Sequence, residues 1–208
     1  MCGIIGYIGT KSPIETLING LKCLEYRGYD SAGIALKEKD QIEVIKSVGK
    51  IVNLEEKLKN QELIPSHLGI AHTRWATHGK PSEKNAHPHT VGNVTLVHNG
   101  IIENAEELRE KLKKEGVTFN SETDTEVITA LINKYYENNP VEAINKALDE
   151  VKGSYALGIL FQGSDDLYAV RKDSPLIVGL GKEENFIASD IAAIIDLSLI
   201  HISEPTRH

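Results

Sequence analysis

Met1-Cys2-Gly3-Ile4-Ile5-Gly6-Tyr7 opens the chain, and its reading decides the fold. From Cys2 to Ile8 the residues are apolar or glycine, and Gly9 ends the run, so residues 2–8 are expected to form a buried strand. A cysteine in such a strand is ordinarily a small buried hydrophobe. A second reading follows from its position. Removal of Met1 would leave Cys2 with both a thiol and a free α-amine. An α-amine has an ordinary pKa of about 8 and can act as base for its own thiol near neutral pH. That combination is an N-terminal nucleophile that needs no histidine partner. Gly3 lets another backbone or a ligand approach closely.

Outward from this strand, short strand-like runs alternate with helices. Ser12-Pro13-Ile14-Glu15 has a capping-box spacing with Pro at the first helical position, and Ile14, Leu17, Ile18, Leu21 and Leu24 fall on one helical face. Arg27-Gly28-Tyr29-Asp30 breaks that helix. Residues 32–36 and 42–48 read as strands around a charged turn, and residues 53–61 as a short helix. Residues 68–72 and 94–98 read as strands separated by a long polar loop with Gly79, Pro81 and Pro88. Asn104 and Glu107 open a helix through Leu108 and Leu112 that Gly116 ends. Thr123-Asp124-Thr125-Glu126 is a second capping box, before Val127, Ile128, Leu131 and Ile132. Pro140 starts a third helix in this half, with Ile144, Ala147, Leu148 and Val151 inward. Residues 155–161, 167–171 and 176–180 read as strands. Runs of strands and runs of helices predict an α+β fold rather than βαβ alternation. Residues 197–208 carry no helix cap and do not continue the preceding pattern.

Composition narrows the function classes. The 208 residues carry a formal net charge of −7, which argues against a nucleic-acid partner, since that needs a basic patch. No apolar run approaches the roughly 20 residues of a membrane span, and no basic segment precedes the first apolar run, so neither a membrane anchor nor a signal peptide is expected. Two cysteines cannot make a disulfide framework, and a reducing, cytoplasmic compartment is the expectation. His72, His78, His87, His89 and His98 crowd one region, which raises zinc, but their spacings fit no compact zinc motif and no cysteine pair supports them. Most of them are read as loop hydrogen-bonders, with no metal. No Walker-type phosphate loop appears, and no cofactor is expected.

The opening heptapeptide resembles the start of the class II glutamine amidotransferases, which are N-terminal-nucleophile amidohydrolases. Four further segments resemble the glutamine–fructose-6-phosphate aminotransferase (isomerising) family within that class, in the family's order: Leu24-Glu25-Tyr26-Arg27-Gly28-Tyr29-Asp30-Ser31-Ala32-Gly33-Ile34-Ala35, His72-Thr73-Arg74-Trp75-Ala76-Thr77-His78-Gly79, Val97-His98-Asn99-Gly100-Ile101-Ile102-Glu103-Asn104 and Ser121-Glu122-Thr123-Asp124-Thr125-Glu126. The resemblance implies a four-layer αββα sandwich over residues 2–196. It implies a glutaminase unit shorter than the family's own, followed by an atypical tail over residues 197–208.

The resemblance also assigns roles. Cys2 would be the nucleophile. The Asn99 side-chain amide and the Gly100 N–H would form the oxyanion hole. Arg74 would clamp the α-carboxylate of L-glutamine, a task its planar fork suits, and Asp124 would bind the α-ammonium. Trp75, Thr77 and His78 would lie beside the substrate. Each has an ordinary alternative. Asn99-Gly100 is a hairpin-turn dipeptide, Asp124 in a first helical turn is favoured by the dipole alone, and Arg74 could be a surface ion pair. Arg27 is read as structural or near the nucleophile, and Cys23 as packing. In full-length members of this family, expected as homodimers, ammonia passes to a C-terminal sugar isomerase domain that converts fructose 6-phosphate to glucosamine 6-phosphate. Two other classes stay open: a glutamine-binding module if Met1 is retained, and the glutaminase unit of another class II amidotransferase.

Overall fold

The computed structural model describes residues 2–75, 80–195, 197 and 199–203. In chain order its elements are β1 (Gly3–Gly9), α1 (Ile14–Leu24), β2 (Ser31–Glu38), β3 (Gln41–Val48), α2 (Ile51–Lys59), β4 (Leu68–Arg74), β5 (His89–Val91) and β6 (Val94–Ile102). They continue with α3 (Ala105–Lys114), α4 (Asp124–Tyr135), α5 (Pro140–Glu150), β7 (Gly153–Phe161), β8 (Tyr168–Lys172), β9 (Ile177–Gly181), β10 (Glu184–Ala188) and β11 (Leu199–Ser203). The strands form two antiparallel sheets. One has seven strands in the order β11-β9-β10-β1-β4-β2-β3, and the other has four in the order β5-β6-β7-β8.

Alternation along the strands stacks these sheets into four layers. On β1, Ile5 and Tyr7 face α1 and α2, where they pack with Leu17, Leu21, Leu24 and Leu54. Ile4 faces the other way and meets Ile70 of β4, Val97 of β6 and Leu160 of β7 in a core shared by both sheets. On the far side, Leu96, Leu157, Ile159 and Phe161 pack against α3, α4 and α5 through Leu112, Val127, Leu131 and Ala147. Helices, sheet, sheet and helices are therefore held by three separate apolar interfaces, as a period of two in every strand requires. This is the αββα sandwich. No helix among the described residues is long and apolar enough to cross a membrane.

Several local expectations are corrected. α1 begins at Ile14 with Pro13 at the N-cap and no side-chain cap hydrogen bond, so Ser12 does not close a capping box. α2 starts at Ile51, two residues earlier than read, because Glu25 accepts from the Ile51 N–H at 3.1 Å and supplies a tertiary cap. At α4 only half of the box forms. Thr123 accepts from the Glu126 N–H, while the Glu126 carboxylate turns to the N–H groups of Asn120 and Ser121 at 2.9 and 2.6 Å. β10 was not anticipated, and it fills the place between β1 and β9. Asn99-Gly100 is not a hairpin turn: β6 runs straight through it, with Asn99 opposite Ala156 and Gly100 opposite Tyr155 of β7. Cys23 is exposed rather than packed. Residues 199–203 of the tail add an antiparallel edge strand against β9.

Candidate active site

Cys2 sits one residue ahead of β1, where β1 lies beside the end of β4 (Gly3 opposite Thr73). That register brings the thiol to the chain after Arg74. The Trp75 N–H donates to Cys2 Sγ at 3.3 Å, and the thiol lies 3.7 Å from the Trp75 carbonyl oxygen. Burial pushes the Cys2 thiol above its ordinary value. The Trp75 N–H and the charge of Arg74 pull the other way, since both favour a thiolate. Arg74 itself is buried at the end of β4. Gly28 makes this close packing possible, because a Cβ there would meet the Arg74 carbonyl carbon at 2.6 Å.

The second sheet supplies the amide groups. Asn99 on β6 donates from Nδ2 to the Cys2 carbonyl oxygen at 3.1 Å. Its Oδ1 lies 3.0 Å from Nε2 of His72, which also lies 3.1 Å from the His98 carbonyl oxygen. Gly100 has φ +125°, and a Cβ there would meet the Ser154 carbonyl oxygen at 2.1 Å, so the position accepts glycine alone. Asp124, the first residue of α4, accepts from the Ile102 N–H through Oδ2 at 3.0 Å. This bond ties the N-terminus of α4 to the end of β6. Its other oxygen faces His98 Nδ1 at 3.9 Å.

Cys2, Arg74, Trp75, Asn99, Gly100 and Asp124 thus converge from two sheets and a helix N-terminus on one cavity of about 40 Å³. Of the residues read from the sequence, these six come together. Thr77 and His78 lie outside the described residues. Trp75 is 46% exposed and stands edge-on to Tyr29, with ring centroids 5.4 Å apart. Arg27 bonds the Ser189 carbonyl oxygen and pairs with Asp190, which is a structural role. Larger cavities elsewhere, of about 690 and 720 Å³, are lined by mixed polar residues and carry no cysteine.

The histidines are the principal correction. His72, His87, His89 and His98 do hydrogen-bond, but as buried groups behind the cavity rather than as residues of an open loop. His72 and His87 stack at 4.0 Å, and His87 meets His89 edge-on at 5.0 Å. Thr125 Oγ1 lies 3.1 Å from His98 Nδ1 and 3.2 Å from His87 Nε2, and Thr123 Oγ1 lies 3.1 Å from His89 Nε2. Burial drives all four imidazoles toward the neutral form, His72 to about 3, while Asp124 partly offsets the effect at His98. His72, His87, His98 and Thr125 were not read as site residues. The available signal was the strand period: His72 lies two and four residues beyond Ile70 and Leu68, on the same inward face. No group of three or more His, Cys, Asp or Glu among the described residues is arranged to hold a metal.

Comparison with known proteins gives the family and the fold. A family model for the glutamine amidotransferase domain matches residues 72–196. Glutamine–fructose-6-phosphate aminotransferase (isomerizing) of Clostridium tetani is 57% identical over 199 residues, covering 94% of this chain and 33% of that protein. The protein of the same name from Thermus thermophilus is 48% identical over 197 residues, covering 94% of this chain and 32% of that one. The chain spans about a third of the length of these curated relatives. Among solved structures, the glutamine phosphoribosylpyrophosphate amidotransferase of B. subtilis, complexed with ADP and GMP, superposes with a TM-score of 0.83 at 25% identity. It covers 98% of this chain and 46% of that one.

Proposed function

This chain belongs to the glutamine amidotransferase domain family, and we propose that it hydrolyses the side-chain amide of L-glutamine once Met1 has been removed. The observation that carries the reading is the meeting of a cysteine thiol, an amide donor, an arginine and an acid at one cavity, 3.3 Å from a backbone N–H that favours the thiolate. Arg74 holds the substrate α-carboxylate and Asp124 its α-ammonium, with Trp75, Thr77 and His78 alongside. The Cys2 α-amine takes the thiol proton, and sulfur attacks the amide carbon. Asn99 Nδ2 and the Gly100 N–H receive the developing oxyanion. The C–N bond breaks, the α-amine returns the proton to the leaving ammonia, and a γ-glutamyl thioester remains. Water attacks the thioester, releasing glutamate and restoring the thiol.

The name of the glutamine–fructose-6-phosphate aminotransferases points to the acceptor. In longer members the ammonia goes to a sugar isomerase domain that acts on fructose 6-phosphate, in a cytoplasmic homodimer. The 48–57% identity to those relatives favours this sugar branch over the phosphoribosylpyrophosphate amidotransferases, where identity is 25%. The hydrolysis reading is tested by intact mass before and after treatment with a glutamine-like diazo ketone, alongside ammonia release from glutamine. Loss of Met1, one adduct on Cys2 and ammonia release are expected. Retained Met1 with no adduct would make the chain a glutamine-binding module instead.

A further inference from the structure

We infer that His72 is the positioning residue of the oxyanion hole, a neutral imidazole carrying its proton on Nε2 that sets which end of the Asn99 amide faces the reacting carbonyl. The inference rests on the hydrolysis reading and deepens it. An asparagine amide has two ends of nearly equal size and opposite character, and only its hydrogen-bond partners decide their orientation. If Oδ1 rather than Nδ2 faced the oxyanion, a donor would become a lone pair aimed at negative charge.

The partners here admit one solution. His72 Nε2 is shared between the His98 carbonyl oxygen at 3.1 Å and Asn99 at 3.0 Å. A backbone carbonyl only accepts, so Nε2 must carry the proton. The Asn99 atom opposite it must then accept, which places Oδ1 there and turns Nδ2 toward Cys2, where it donates to the carbonyl oxygen at 3.1 Å. The other ring nitrogen, Nδ1, is buried with no hydrogen-bond partner among the described residues. A proton placed there would find no acceptor, and moving it there from Nε2 would set two acceptors against a bare nitrogen. The ring has little freedom to turn. It stacks on His87 and is wholly buried, and β4 pairs His72 with Ile4 on one side and Gly33 on the other. His72 does not line the cavity and acts only through Asn99.

Four variants of the processed chain separate this role from simple packing: His72→Phe, His72→Gln, Asn99→Ala and the double change His72→Phe with Asn99→Ala. Loss of an oxyanion donor costs about 100- to 1000-fold in kcat, so Asn99→Ala is expected in that range. His72→Phe keeps a ring but removes the donor, and is expected to lower kcat at least about 10-fold with KM for glutamine within about 3-fold. His72→Gln presents an amide N–H near the place of Nε2 and should recover most of that loss. The double variant should be no slower than Asn99→Ala alone, because His72 acts through Asn99. Losses that multiply in the double variant, or a His72→Phe variant within about 3-fold of the parent in kcat, would overturn the inference.

Nitrogen-15 NMR of the imidazoles tests the same point without turnover. His72 should be protonated at Nε2, and an Nδ1-protonated His72 would overturn the inference even if the Phe variant does not fold. If the processed parent chain releases no ammonia, the hydrolysis reading is what fails. The tautomer then decides the hydrogen-bond assignment alone.

Discussion

The layer between the two sheets has a dry end and a polar end, built by the same strands. At the dry end, Ile4 of β1, Leu68 and Ile70 of β4 and Val97 of β6 share an aliphatic core. Two residues along β4 and β6, on the same inward face, the residues are His72 and Asn99, with Arg74 two further on and Cys2 just ahead of β1. One periodicity therefore generates both the sheet-to-sheet contact and the site. The dry end holds the sheets together by burial alone. The polar end is held by hydrogen bonds whose directions matter, because each buried donor there needs an acceptor of the right kind. The site is a change of chemistry partway along a core layer, so its side chains inherit the rigidity of the sheets beneath them.

Three changes would break or sharpen that contrast. The largest effect is expected from Cys2→Ala, which removes the nucleophile from the polar end. Ammonia release should fall to background while the circular dichroism spectrum and melting temperature stay close to those of the parent. Activity near the parent rate would sink the mechanism. Ile70→Ala, at the dry end, should do the opposite. Deleting a fully buried aliphatic side chain costs about 2–5 kcal/mol, so urea unfolding should show that loss, with kcat per folded molecule unchanged.

The smallest effect per step is a pH dependence specific to the polar end. His72, His87, His89 and His98 are all held below their ordinary values, chiefly by burial, against the favourable charge of Asp124 at His98 and the unfavourable charge of Arg74 at the others. Between pH 6.5 and the depressed folded values, the unfolded chain binds more protons than the folded one. Stability from this tier is therefore complete above about pH 6.5 and is lost as pH falls toward about 3 for His72. Each imidazole contributes a slope of up to about 1.4 kcal/mol per pH unit in that window. Urea midpoints measured from pH 7 to pH 4.5 should fall accordingly, and a flat profile would mean that the imidazoles are not held neutral.

Local signals marked much of this fold. The apolar opening run is β1, the face of Ile14, Leu17, Ile18, Leu21 and Leu24 is the buried side of α1, and Gly116 follows α3 at φ +93°. Other elements were illegible for physical reasons. Asn-Gly is locally a turn dipeptide, yet the β7 ladder holds it extended on both sides. β10 offers only Phe186, Ile187 and Ala188 as a short apolar run after a charged turn, and it becomes a strand because β1 and β9 flank it. His87 looked like a polar loop residue because no local rule reveals that it stacks on a ring from a distant strand.

By itself, the sequence determined the nucleophile candidate and the set of motifs, since residue type and order carry that chemistry directly. Only the tertiary structure decided that Cys2 and Asn99, on different sheets, meet within hydrogen-bond reach, and that a buried imidazole orients the amide between them. Such contacts depend on register between strands far apart in the chain. Register is selected by the packing of whole sheet faces rather than by any short stretch of residues.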